Sequence, residues 1–374
     1  MLLPKLVAAL KHFDRKWWPA HRVVIESPVA HTLSQQNLVV GDVGAAEGPE
    51  DRWLGIMTYT RFLTFEPNPR PQTVQDDKTT CMPVGLWSSR TRKTLYLTEH
   101  PDSASLYEPN QDVFRDFLVQ DGMLPAGAME IELDTLDNVL ASRPELSPHF
   151  LKIDAEGADL EVLRGGLRAL AETTMGLRVE TSLLELRHGA PRFCEMDSFL
   201  RERGFVLFHL GRVHWIRKNA LNGFTSQPQL IWGDAVYFLK RERLLARLAA
   251  GSPQDRETTM ARFVLILLCH GVHDYALELI EAAEAAGFVT KSYAASLKTS
   301  VSKSTERSVH YFVWSSVGLS FALFVYLCCW LAPGARLRAK YYVKQRAGRL
   351  FYDLWRWAVR GGRPHNACIE DPFV

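Results

Sequence analysis

Between Leu38 and Lys240, short apolar runs rich in β-branched residues alternate with helix-like stretches. That alternation restricts the chain to an α/β architecture built on a largely parallel sheet. The expected strands are residues 38–43 (LVVGDV), 61–66 (RFLTFE), 80–87 (TCMPVGLW), 94–98 (TLYLT), 149–154 (HFLKID), 176–181 (GLRVET), 204–210 (GFVLFHL) and 234–240 (DAVYFLK). Runs this apolar suit strands covered on both faces, as in a doubly wound sheet. After Lys240 the period changes. Residues 241–250, 256–286 and 290–299 read as amphipathic helices, with a stop at Gly287. The chain therefore divides into an N-terminal helical or extended segment (1–34), a sheet domain (35–240), an amphipathic helical region (241–305) and a tail (306–374).

A chain of 374 residues that is 47% hydrophobic and 23% charged has the material for a large core, which excludes disorder, collagen and a small disulfide scaffold. The net charge of +2 hides an asymmetry: residues 336–374 carry nine Lys/Arg against three Asp/Glu, so a basic tail follows a mildly acidic body. The six cysteines, Cys81, Cys194, Cys269, Cys328, Cys329 and Cys368, form no CxxC pair and show no metal-like spacing with histidine. They read as reduced thiols, and no structural zinc is expected. The opening MLLPKLVAALKHFDRKWW has a short apolar run broken by Pro4 and Lys5 and no small-residue cleavage site, so no secretory signal is expected.

The segment LVVGDVGAAEG (38–48) puts a buried strand directly before Asp42, Gly44 and Gly48, where a turn must bring backbone close to a ligand. It lacks the G-x-G-x-x-G fingerprint of dinucleotide sites and so favours a smaller cofactor such as S-adenosylmethionine, which has no phosphate to cradle. Glu66, at the end of the second strand in FEPNP, lies twenty-four residues beyond Asp42, near the usual distance for a carboxylate that binds ribose hydroxyls. The alternative is that the two acids cap helices or hold turns.

The succession DVGAAEG, FEPNP, SASLYEP (103–109), IELDTLD (131–137), HFLKIDAEGADLEVLRGG (149–166), RVETSLLELRHG (178–189), FLRERGF (199–205) and GDAVYFL (233–239) resembles the FkbM family of S-adenosylmethionine-dependent O-methyltransferases over about residues 35–240. The LKIDAEGADLEVLRGG block is its most specific part. Ala46 stands where the family pattern often has Asn, and the stretch from Pro69 to Thr80 is unusually short. The resemblance implies a Rossmann-like class I methyltransferase fold, here with a C-terminal α-helical appendage, and methyl transfer to a hydroxyl of a sugar or other metabolite. It implies that Asp42, Gly44, Ala45 and Gly48 surround the methionine moiety, that Glu66 and Pro67 meet the ribose, and that Val84, Gly85 and Leu86 line the adenine. Asp154 belongs to both the cofactor and the catalytic set.

Methyl transfer to oxygen is an in-line displacement, so the enzyme must align the acceptor and take up a proton. Asp154 is the first candidate for that task, with Glu156 and Glu180 as helpers and Lys152, His188 or His209 for oxyanion stabilisation. Against this, Lys152 and Glu156 could form an ion pair, and the two histidines could be structural. Asp154, Glu156 and Glu180 are hard ligands of the kind that suit magnesium, but the expected site holds no metal.

Residues 311–332 (YFVWSSVGLSFALFVYLCCWLA) hold no charge, are ended by Pro333 and Gly334, and precede a cluster of Arg and Lys. As a helix this stretch would be roughly 33 Å long, enough to cross a bilayer core. The positive charge crowds its C-terminal side, which for a span would put the sheet domain outside, away from its cofactor. A monotopic or re-entrant helix at the cytoplasmic face of a bacterial inner membrane is the preferred expectation. Residues 341–363 would then form an interfacial amphipathic helix, and a lipid-linked saccharide would be the acceptor. The alternatives are an oligomer-interface helix on an enzyme of soluble metabolites, and a non-catalytic scaffold. Homo-oligomers fit either enzyme reading, and no nucleic-acid partner is expected, since no RNA-binding module is present.

Overall fold

The computed structural model describes residues 23–44, 50–67, 77–117, 123–215, 217–218 and 229–305. The apolar stretch 311–332 and the amphipathic segment 341–363 lie outside the described residues, as do Ala45 and Gly48.

Among the described residues, ten strands form two sheets. Strand β1 (Leu38–Val43) is buried at all six positions. It lies between β2 (Thr60–Phe65) and β7 (Phe150–Ile153), both parallel to it. With β3 (Thr79–Met82), β8 (Gly176–Ser182), β9 (Phe205–Trp215) and β10 (Gln229–Leu239) they make a seven-stranded sheet in the order β3-β2-β1-β7-β8-β10-β9. Only β10 runs against its neighbours β8 and β9. The order reverses between β1 and β7, the switch point at which open α/β sheets gather ligands beyond their strand ends. This is the Rossmann-like arrangement the sequence implies.

A smaller sheet, β4-β6-β5, combines β4 (Gly85–Leu86), β5 (Thr91–Thr98) and β6 (Pro125–Asp134). The single strand expected over 80–87 is thus two strands in two sheets, divided at Pro83, which has no amide to donate to a ladder. Strand β6 is not apparent in the sequence because PAGAMEIELD opens with proline, glycine and alanine and is exposed over its first six residues. Strands β9 and β10 run several residues beyond their expected ends.

One face of the main sheet packs against the 3-10 helix Asp51–Tyr59 and the helix Pro253–Cys269. Trp53 meets Phe150 edge-on at 5.1 Å between ring centroids, and the His270 ring lies 4.7 Å from Phe150 and 5.3 Å from Phe238. Helix Pro253–Cys269 starts with a reciprocal cap between Ser252 and Asp255 and proline in its first turn. The helical pattern expected over 256–286 breaks at Gly271, whose φ of 70° suits only a residue without a side chain. A second helix, His273–Ala285, then begins and ends before Gly287 (φ 71°). The last described helix, Lys291–Thr305, returns to the start of the described chain: the Ser300 and Ser304 hydroxyls accept from the Glu26 and Val24 amides. Leu244 of the helix Arg241–Ala250 and Phe263, Ile280 and Leu297 from these helices share one core with the sheet's Val39, Leu151 and Leu177. His149 is fully enclosed below β7, and its Nδ1 accepts from the Val39 amide at 2.9 Å. Burial holds its pKa well below the usual range, so it acts as a neutral acceptor.

Candidate active site

Three strand ends are tied together at the switch point. The Gly44 amide donates to the Phe65 carbonyl at 3.0 Å, and the Asp154 amide donates to the Val43 carbonyl at 3.0 Å. Gly44 has φ 78°, and a Cβ there would lie 2.0 Å from the Asp154 carbonyl oxygen. Glycine is therefore required both by the backbone conformation and by the closeness of β7.

Register puts Thr64, Asp42, Lys152 and Arg178 side by side across β2, β1, β7 and β8, so their side chains share one face. Asp42 is 6% exposed. The Lys152 ammonium lies 3.2 Å from Asp42 and 3.6 Å from Asp154. Burial pushes the Asp42 carboxyl up to about 6 against the pull of Lys152. For Lys152 burial works the other way, but the two carboxylates outweigh it and hold the ammonium above its ordinary pKa. The ion-pair alternative for Lys152 is therefore realised with Asp42 and Asp154 instead of Glu156.

After β7 the chain reverses through two left-handed residues, Glu156 (φ 51°) and Gly157 (φ 97°). The Asp159 carboxylate accepts from the Gly157 amide at 3.2 Å and the Ala155 amide at 3.5 Å, which closes this turn. Burial, reinforced by the charge of Asp154, pushes Asp159 up to about 8. Glu156 pairs with the Arg187 guanidinium, which is itself 4% exposed. Burial pushes Glu156 up to about 6, with Arg187 opposing and Asp154 adding repulsion.

Carboxylate oxygens of Asp154, Glu156 and Glu180 come within 4.8 Å of one another. Burial, then repulsion from Glu156, Asp154 and Asp159, holds Glu180 well above the ordinary carboxylate range. Asp154 is raised too, mainly by burial, with Lys152 pulling it down. Hard oxygens at this spacing are also chemically suited to a divalent cation. The structure thus brings Lys152, Asp154, Glu156 and Glu180 to one crevice.

The expected cofactor residues gather at the ends of β2 and β3. The Glu66 amide donates to the Met82 carbonyl at 3.2 Å, and the Val84 amide donates to the same oxygen at 2.8 Å. A Cβ on Gly85 would lie 3.5 Å from Pro67 and 2.4 Å from Leu133. Glu66, Pro67, Val84, Gly85 and Leu86 are therefore neighbours. His188 is exposed beside the buried Arg187, and His209 is exposed on the edge strand β9. Sequence reasoning missed Arg187, Asp159, Arg178 and Glu50. A charged residue inside an apolar strand, as Arg178 is in GLRVET, signals a partner, although it does not say which.

Residues 42–207 match the family model described as the methyltransferase FkbM domain. A methyltransferase FkbM from Methylobacillus flagellatus KT, known from a crystal structure at 2.20 Å resolution, is similar at 15% identity over 54% of this chain and 44% of that one, with a TM-score of 0.30. The chain thus spans less than half the length of that protein. No curated protein matches the chain. Over residues 42–207, then, the chain carries a domain of the FkbM methyltransferase family, whose members take S-adenosylmethionine as methyl donor.

Proposed function

We propose that this protein transfers a methyl group from S-adenosylmethionine to a hydroxyl of a sugar or a lipid-linked saccharide. The donor set suits that cofactor. Lys152, which pairs with Asp42 of β1, is already held between two carboxylates and so offers no free charge to a phosphate. Glu66 and Asp154 stand at the ends of β2 and β7, on either side of β1, where carboxylates favour a sulfonium and ribose hydroxyls. Asp42, Gly44, Ala45 and Gly48 would hold the methionine part, Glu66 and Pro67 the ribose, and Val84, Gly85 and Leu86 the adenine. Bound there, S-adenosylmethionine supplies a methyl group that is already activated.

What remains for the chain is to align the acceptor hydroxyl and give its proton a place to go. The Asp154–Glu156–Glu180 cluster is the observation that carries this reading. Carboxyls raised by burial and mutual repulsion are stronger bases than ordinary ones, and Asp154, the most exposed of the paired carboxylates here at 39%, is the one that can reach an acceptor. Lys152 and Arg187 fix Asp154 and Glu156 in orientation. Asp154→Asn should lose ~10²–10⁴-fold in turnover while binding S-adenosylmethionine nearly as well as the parent. Near-normal turnover in that variant would remove Asp154 from the mechanism.

The acceptor's lipid linkage, and a location at the cytoplasmic face of a bacterial inner membrane, rest on residues 311–363 alone, through their charge-free stretch and the aromatic, arginine-rich segment after it. Among the described residues no helix is long and apolar enough to cross a membrane. Flotation with anionic liposomes tests this part. Full-length protein should float and a chain ending at residue 305 should not. Protein that ignores liposomes and methylates only soluble sugars would contradict it.

A further inference from the structure

Beside the Lys152 bridge stands a second cation held between two carboxylates. Arg178 follows Lys152 in the cross-strand row, with Asp42 on the far side of Lys152. One of its amino groups contacts Glu50 and the other lies 2.7 Å from Asp234 on β10. Glu50 is the first described residue after Gly44 and stands at the N-cap of the 3-10 helix, yet its side chain makes no capping hydrogen bond. Both of its carboxylate oxygens instead face guanidinium groups, one Arg178 and the other Arg52 Nε at 2.8 Å. Glu50 and Arg178 are well covered, at 18% and 21% side-chain exposure, so the contact is poorly screened. Gly44, before residues 45–49, is fixed by its left-handed φ and by the hydrogen bond from its amide to the Phe65 carbonyl at the end of β2. The two residues flanking 45–49 are thus anchored independently, Gly44 on β2 and Glu50 on β8.

We infer that Arg178 is a positioning residue for the cofactor: by bridging Glu50 to Asp234 it fixes the position of Glu50, where the described chain resumes after Gly44. This rests on the S-adenosylmethionine reading above. Arginine suits the task because its planar fork serves two carboxylates from separate elements at once, whereas a lysine ammonium is a single point charge. Without Arg178, Glu50 keeps only Arg52, Asp234 loses its cation, and two covered carboxylates are left to repel each other. The effect should fall on cofactor affinity, because Arg178 carries no part of the proton transfer assigned to Asp154.

The test is calorimetric titration of full-length protein with S-adenosylmethionine, together with steady-state kinetics, on the parent, Arg178→Gln, Arg178→Lys, Glu50→Gln and the double variant Glu50→Gln/Arg178→Gln. Arg178→Gln should weaken cofactor binding and raise its KM by roughly 10- to 100-fold, with kcat at saturating cofactor within about threefold of the parent. Arg178→Lys should recover part of the loss. The double variant should bind no more weakly than the worse single variant, since both substitutions break one contact. Parent-like affinity in folded Arg178→Gln, or losses that simply add in the double variant, would overturn the inference. If Arg178→Gln does not fold, Glu50→Gln decides alone, because it leaves Arg178 paired with Asp234; unchanged affinity there would overturn the inference as well. A parent that binds no S-adenosylmethionine would instead refute the functional reading, and this inference would fall with it.

Discussion

Two parts of the same crevice handle charge in opposite ways. On the side of β1 each cation sits between two acids, Lys152 between Asp42 and Asp154 and Arg178 between Glu50 and Asp234. On the side of the turn after β7, Asp154, Glu156 and Glu180 crowd together with Asp159 behind them, and Arg187 is the guanidinium that pairs into this group. The first arrangement is electrostatically satisfied and holds backbone in place. The second raises its carboxyls through burial and the repulsion of neighbouring acids. A site that binds one molecule firmly and takes a proton from another needs both, and the difference locates the two tasks.

The largest effect expected from breaking this comparison is at the hinge between the two parts. Gly44→Ala would need a Cβ 2.0 Å from the Asp154 carbonyl in a left-handed conformation, which displaces β1 from β7. It should destabilise the protein by about 2–4 kcal/mol and abolish S-adenosylmethionine binding, as read by thermal unfolding and calorimetry. Parent-like affinity would mean that the turn is not where the cofactor is held.

Next is Arg187→Met, which removes the cation from the crowded side. At pH 7.5 it should cost about 3 kcal/mol of stability, because Glu156 is left covered and unpaired. The cost should shrink as pH falls through about 6, where Glu156 takes a proton in the parent as well. A pH-independent cost would show that Arg187 acts by packing alone.

A smaller effect comes from Glu180→Gln. A carboxyl whose folded pKa is raised favours the native state below its unfolded pKa and loses that contribution as pH rises through the folded value. Replacing it with a neutral amide should therefore stabilise the protein more at pH 8 than at pH 4, while lowering turnover. Asp159→Asn should do the same, and its amide oxygen can still accept from Gly157 and Ala155. Its stability relative to the parent should rise with pH between about 4 and about 8, since Asp159 is pushed up to about 8. Chemical denaturation at several pH values reads both. A flat difference would mean that these acids are ionised throughout, and the contrast between the two sides would be lost.

How much of this was legible in the sequence follows from how far apart the causes lie. LVVGDV announces β1 because all six positions are covered, and Asp42, Gly44 and Glu66 stand out because a strand ends beside them. Asp154, Glu156 and Glu180 are visible as acids near strand ends, but their convergence depends on β7 and β8 being neighbours, which the order β1-β7-β8 supplies. Strand β6 hides because an exposed ribbon needs no apolar alternation. The bridge from Glu50 through Arg178 to Asp234 was illegible for another reason: no local pattern reports a contact between residues brought together only by the register of β8 with β10.

The central claim is that the neutralised side of the crevice binds S-adenosylmethionine. Calorimetric titration of purified protein with S-adenosylmethionine and its demethylated product, repeated on Glu66→Ala, tests it most directly. The account predicts one site for each ligand on the parent and at least a roughly tenfold loss of affinity in the variant, the size of a lost charged hydrogen bond. Folded parent protein that binds neither ligand, or a variant that binds both as well as the parent, would contradict it.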